Sequence, residues 1–169
     1  TYYYAFHDVE EKGLTFDSSS VKVFVGDEVT GTKIDASNYT VVTNPADRCT
    51  FEIVFDDLKK VTDVTANSII TVTYESTLNT NAVLGKQGNG NTAQLEYSNN
   101  QRGNGTGTTP WDNVIVFTYK VVVNKVDQAG QPLDGAEFTL TKKLNDGTEV
   151  DMPMNIDTTK KSLFTLSGL

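Results

Sequence analysis

The 169-residue sequence has a single cysteine, a single histidine, and 14 Lys and Arg against 22 Asp and Glu. Cys49 alone rules out an intramolecular disulfide. With only His7 to accompany it there is almost nothing from which to build a zinc site, so neither metal nor cofactor is expected. Ser-His-Asp and Cys-His catalysis both need a histidine in a supported geometry, which leaves enzymatic turnover a poor expectation. A net charge of -8 disfavours nucleic acid and anionic membrane surfaces as partners. No apolar run approaches the roughly 20 residues of a spanning helix, and no charged-then-apolar leader opens the chain. Helical signal is scarce: only Asp56–Val61, with acids first and lysines last, predicts a helix, and a short one.

What the sequence does contain is period-two alternation broken by turn residues, the pattern of short β-strands. Strands are predicted over Tyr2–Asp8, Leu14–Phe16, Val21–Val25, Tyr39–Val42, Thr50–Phe55, Ser68–Tyr74, Asn91–Tyr97, Val114–Tyr119, Ala136–Lys142 and Ser162–Leu166. Asp17–Ser20 reads as a polar connection, Gly26–Thr32 as a hairpin, and Asn145–Gly147 as a hairpin tip. Cys49 shares parity with Phe51, Ile53 and Phe55 and is expected as a buried thiol, whereas His7 is expected as a packing or surface residue. The Gly-rich Asn99–Pro110 loop lacks the following helix and lysine of a phosphate cradle. The fold class is all-β, as tandem sandwiches.

Three polar residues sit on strand faces that should be apolar. Asp8 follows Tyr2, Tyr4 and Phe6 at spacing two, and Asn91 precedes Ala93, Leu95 and Tyr97 in the same way. The alternative is that Asp8 caps a turn and Asn91 ends a loop. The most strand-like stretch, Trp111–Asp127, directs Lys125 inward with Tyr119, Val121 and Val123, unless its long stem reaches solvent. This stretch reads as the last strand of one domain running into the first of the next without a Gly/Ser linker, hence as a stiff joint.

Asp8–Phe16, Val72–Glu75 with Leu78–Asn79, Asn91–Asn99 and the Val116–Tyr119 strand resemble, in order and spacing, the Cna A-type Ig-like domain of major pilins, the backbone subunits of Gram-positive sortase-assembled pili. Val123–Asp127, Pro132–Leu140 and Phe164–Leu169 resemble the opening of a Cna B-type domain. The resemblance implies domains at residues 1–119, lacking a first strand, and 120–169, the start of a second domain. It further implies intramolecular Lys–Asn isopeptide bonds assisted by a buried acid. Asp8 matches the assisting acid, and Asn91 the acceptor amide, whose partner lysine would lie upstream of Thr1. Lys125 matches the lysine of the second domain, with its asparagine beyond residue 169, and Glu137 falls at a variable surface position.

The implied function is a structural subunit of a cell wall-anchored extracellular pilus, with sortase and other pilin subunits as partners. The alternative is an adhesin module binding host protein or glycan through Asn99–Pro110 and the adjoining Trp111.

Overall fold

The computed structural model describes residues 2–100, 105–135 and 137–167. The chain divides into two compact units, Thr1–Val83 with Gly88–Val116, and Leu84–Gln87 with Phe117–Leu169.

The first unit holds β1 (Tyr4–Glu10), β2 (Leu14–Val25), β3 (Thr32–Lys33), β4 (Thr40–Thr43), β5 (Phe51–Phe55), β6 (Ile70–Leu78), β7 (Asn89–Ser98), β8 (Thr106–Thr108) and β9 (Asp112–Val116). One sheet runs β4-β5-β1-β7-β8, with β9 also paired to β7; a second runs β3-β2-β6. All of these pairings are antiparallel. Between the sheets lies a core of Val23, Ile34, Phe51, Ile53, Phe55 and Val61, onto which Tyr4, Phe6, Phe16, Val72 and Tyr74 pack. The alternating apolar parity of β1, β5 and β6 produces this arrangement: each strand turns one face towards the other sheet and one away.

The second unit holds β10 (Lys120–Asn124), β11 (Leu140–Lys143), β12 (Glu149–Met152), β13 (Asn155–Ile156) and β14 (Leu163–Ser167). They form a β10-β14-β13 sheet and a β11-β12 hairpin. The hairpin turns at Asn145–Gly147 as expected, with Gly147 at φ +86 and Leu144 donating to the Thr148 carbonyl. Its core is small, centred on Phe164 and Leu166, with the Phe138 ring edge-on to Phe164 at 4.7 Å.

The structure differs from the sequence expectations at several points. Asp17–Ser20 is not a connection: β2 continues through it, and the register to β6 shifts between Asp17 and Lys22. Hydroxyl side chains hold this irregularity, as Ser19 and Ser20 bond back to Asp17. The predicted helix is a single 3-10 turn, Leu58–Lys60, capped by Asp57; a second, Ala36–Asn38, is capped by Asp35. Both caps are Asp side chains accepting a backbone N–H two residues on, a local bond that competes with longer helix. Trp111–Asp127 contributes two strands in different units, β9 and β10, but β9 ends at Val116, short of the expected Val114–Tyr119 strand.

Asn89, at the start of β7, is fully buried and ties the preceding loop to the sheet. Its Oδ1 accepts from Val83 N, while Nδ2 donates to the carbonyls of Val83 and Val116. Asn89→Ala leaves these backbone groups without their partner, so we expect a loss of about 1–3 kcal/mol in chemical denaturation.

Candidate functional site

Asp8 is fully buried on the inner face of β1. Its register partner on β7 is Ala93, and Asn91 stands opposite Glu10 two residues along. Asp8, Glu10, Ala93 and Asn91 thus share a face, and Asp8 and Asn91 form a diagonal cross-strand pair. From the opposite sheet, Tyr74 of β6 reaches across the core to join them.

Tyr74 donates its hydroxyl to Asp8 Oδ2 at 2.7 Å. Asn91 Nδ2 donates to Tyr74 Oη at 2.7 Å and to Asp8 Oδ2 at 3.3 Å. Aromatic rings enclose the group: Phe6, Phe16 and Phe51 lie 6.3, 5.9 and 4.9 Å from the Tyr74 ring, and Phe16 stacks on Phe51 at 3.7 Å. This shell keeps the local dielectric low. Burial pushes the Asp8 carboxyl up to about 6 from 3.8, against the opposing pull of the Tyr74 and Asn91 hydrogen bonds and with a smaller push from Glu10. Burial and Asp8 likewise raise the Tyr74 phenol, so it is a proton donor at neutral pH.

Two acceptors in this arrangement have no partner among the described residues. Asp8 Oδ1 and Asn91 Oδ1 are both buried and unbonded, as is Glu10 Oε2, whose sister oxygen accepts from Ser76. Orphaned buried acceptors cost free energy, and all three belong to residues that share this face. What they lack is a donor. Among the described residues no lysine is hydrogen-bonded to or ion-paired with Asp8 or Asn91. Beside the group, Tyr4, Phe6, Ile70, Val72 and Leu95 line an apolar groove of about 840 Å³. β6, on one side of it, is an edge strand with no described neighbour beyond β2.

Asp8 and Asn91 therefore occupy the buried faces read from parity, and neither is a turn cap or loop-end residue. Tyr74 and Glu10 were not singled out by sequence reasoning. Parity offered a signal for both: Glu10 continues the series Tyr4, Phe6, Asp8, and Tyr74 the series Ile70, Val72. Lys125 lies one residue past β10, half-buried, with its N–H donating to Ser162 O. Glu137 is exposed. Of the Asn99–Pro110 loop, residues 101–104 lie outside the described residues. Cys49 is buried, but it departs from the face of Phe51 and Ile53: its thiol meets His7 and Asp47 on the outer side of the sheet. The turn before β5, with Arg48 at φ +75, breaks the strand parity there.

Residues 1–101 match the model of the Gram-positive pilin backbone subunit 2, Cna-B-like domain, and residues 119–169 that of the SpaA prealbumin-like fold domain. The chain belongs to the Gram-positive pilin backbone family. The matching model carries the description Cna-B-like, where the sequence resemblance was to the A-type domain. The pilin is 35% identical over 82 residues to the trypsin-resistant surface T6 protein of Streptococcus pyogenes serotype M6, a match covering 40% of this chain and 15% of that protein. It resembles in fold the T6 backbone pilin of serotype M6 Streptococcus pyogenes, with TM-score 0.58 at 21% identity over 99% of this chain and 37% of that one. BcpA, the major pilin subunit of Bacillus cereus, gives TM-score 0.55 at 18% identity over 100% of this chain and 45% of that one. The pilin chain thus spans less than half the length of each of these relatives.

Proposed function

We propose that this pilin chain is a load-bearing segment of a sortase-assembled pilus shaft on a Gram-positive cell surface, and that its first unit is tied by an isopeptide bond between Asn91 and a lysine on a strand preceding Thr1. The observation that carries the reading is the Asp8–Tyr74–Asn91 group, with its two unbonded acceptors, beside an apolar groove and the open edge of β6. A strand added along β6 would cover the groove and bring its amine to those acceptors.

The chemistry follows from the environment. A lysine ammonium entering here pairs with Asp8, and in a low dielectric the neutral pair gains on the ionic one, so the proton passes to Asp8. The amine that results is a nucleophile. Asn91 can turn its amide about χ2, a broad two-fold torsion, and present its carbonyl to the acidic proton of Asp8 and to the Tyr74 hydroxyl. The amine attacks Cγ, the oxyanion is held by these donors, the C–Nδ2 bond breaks, and the nitrogen leaves as ammonia after taking a proton delivered through Asp8. Fixing amine and amide in contact replaces a bimolecular encounter and is worth several kcal/mol of barrier. In the second unit Lys125 takes the corresponding role towards an asparagine beyond residue 169. Such ties limit the unfolded ensemble as a disulfide does, without dependence on redox state.

The test is intact mass of the protein extended upstream of Thr1. We expect it to be lighter by one ammonia than its sequence requires, with a branched proteolytic peptide joining the Asn91 segment to a lysine of the added strand. Asp8→Ala and Asn91→Ala should each restore the full mass. Full mass in the parent protein would sink the bond, and failure to enter covalent ladders when sortase and the whole subunit are supplied would sink the shaft role.

A further inference from the structure

On the outer face of β1, one residue before Asp8, the structure gathers the chain's only histidine and only cysteine. We propose that His7, Asp47, Cys49 and Glu52 form a tetrahedral binding site for a divalent zinc-type cation, with Glu96 orienting the imidazole. Their ligand atoms all lie within 4.8 Å of one another. His7 Nδ1 is 3.1 Å from Asp47 Oδ2, 3.3 Å from Glu52 Oε1 and 3.6 Å from Cys49 Sγ, and Sγ is 3.2 Å from Asp47 Oδ2. Zinc bonds of about 2.0–2.3 Å place tetrahedral ligand atoms roughly 3.4–3.6 Å apart. These four separations lie within a few tenths of an ångström of that range, and the remaining two do not exceed 4.8 Å, a gap that side-chain torsions can close round an ion.

Each ligand has a structural reason to be there. His7 stands directly opposite Glu52 across the β1–β5 ladder. The turn into β5 delivers the other two, and the Cys49 N–H donates to Asp47 Oδ1, which leaves Oδ2 facing the cluster. Glu96 sits diagonally across β7, where Oε2 meets His7 Nε2 at 3.2 Å. A proton held on Nε2 by Glu96 leaves the Nδ1 lone pair aimed at the other three atoms. That is the carboxylate–histidine–metal arrangement in which an outer carboxylate fixes the tautomer and raises ligand basicity.

Charge supplies the second argument. Three carboxylates surround one imidazole, and among the described residues His7 is their only ion-pairing partner. Even a protonated His7 leaves the group net negative, with the His7 and Glu52 side chains largely buried, so a cation is the missing partner. The donor set chooses its kind. Imidazole and thiolate with two carboxylates suit zinc and its neighbours, whereas calcium and magnesium take six or more oxygens. A Cys–His nucleophile is the wrong reading of the same atoms, because burial first and the neighbouring carboxylates second oppose the thiolate that such chemistry needs. A bound cation reverses that effect by displacing the thiol proton.

The experiment is titration of the metal-stripped protein with Zn²⁺ alone, by calorimetry, and with Co²⁺, by absorbance. We expect saturation at one equivalent, a thiolate-to-cobalt charge-transfer band that added Zn²⁺ abolishes, and no displacement by excess Mg²⁺ or Ca²⁺. Cys49→Ser should remove the charge-transfer band. Glu52→Gln, which keeps shape and removes one ligand charge, should weaken binding at least tenfold, and Glu96→Gln roughly 10–100-fold with stoichiometry kept. Absence of saturable uptake in the parent protein overturns the site. So does uptake unchanged in Glu52→Gln, which would place the ion elsewhere on the acidic surface even if Cys49→Ser failed to fold.

Discussion

Asp8→Asn is expected to make the 169-residue chain more stable at pH 7 by roughly 3 kcal/mol and to leave its stability at pH 3.5 almost unchanged. The magnitude follows from the displacement of the Asp8 carboxyl from 3.8 to about 6, at 1.36 kcal/mol for each tenfold change in proton affinity. The sign follows from which state holds the proton. Below pH 3.8 Asp8 is protonated in both states and costs nothing extra. Between 3.8 and about 6 the unfolded chain releases its proton while the folded chain keeps it, so stability falls as pH rises; above 6 the full cost of the buried charge is present. Asparagine has no charge to bury, still accepts from Tyr74, and brings a donor for the unbonded Asn91 Oδ1. Asp47, lowered by its hydrogen bonds, is common to the two proteins and cancels in the difference, whereas Glu10, itself raised by burial, repels the Asp8 carboxylate, so its relief in Asp8→Asn acts in the same direction. Urea denaturation at the two pH values measures it. An equal difference at both would show that the buried charge of Asp8 is not the cause. The same change should abolish bond formation in the upstream-extended protein, so that stability and reactivity move in opposite directions, as expected of a strained functional site.

Much of this was legible in the residues. Period two placed β1, β5, β6 and β7 and turned Asp8 and Asn91 inward, because a one-residue register error would have inverted every aromatic on those strands. Tyr74 was visible as a core residue but not as a partner of Asp8, since the pair is separated by 66 residues and joined only by sheet-on-sheet packing. The His7–Cys49 cluster was hidden for a related reason. Strand parity assigned Cys49 to the aromatic face, and only the turn at Arg48, in a conformation that side chains seldom adopt, carries it to the other side. Sequence periodicity reports faces within a strand; it is silent on what a turn does to the residue that leaves it. The end of β9 at Val116, short of the expected Val114–Tyr119 strand, escaped notice for the opposite reason: β-branched and aromatic composition continues past it, and composition does not record where one ladder ends.

Under tension, the bonded first unit is expected to yield a contour length short by roughly 300 Å compared with Asn91→Ala, the span of about 90 extended residues. The argument rests on strand order. In the proposed shaft role, load enters the unit at its first strand, which the proposed bond joins to Asn91 of β7. Asn91 stands in register with Val114 of β9, the strand by which the chain leaves the unit. Force therefore crosses from the first strand to β7 through a covalent bond and reaches β9 through a short length of chain and a shared ladder. Residues 1–90, holding β1 to β6 and the aromatic core, lie outside that path. The tie also closes a loop of roughly 100 residues, for which chain entropy predicts about 4–5 kcal/mol of stabilisation. Single-molecule extension of the upstream-extended protein measures the hidden length directly. Equal contour lengths for parent and Asn91→Ala would mean that the sandwich unfolds through its whole chain, and that Asp8, Tyr74 and Asn91 form a hydrogen-bonded cluster with no covalent role.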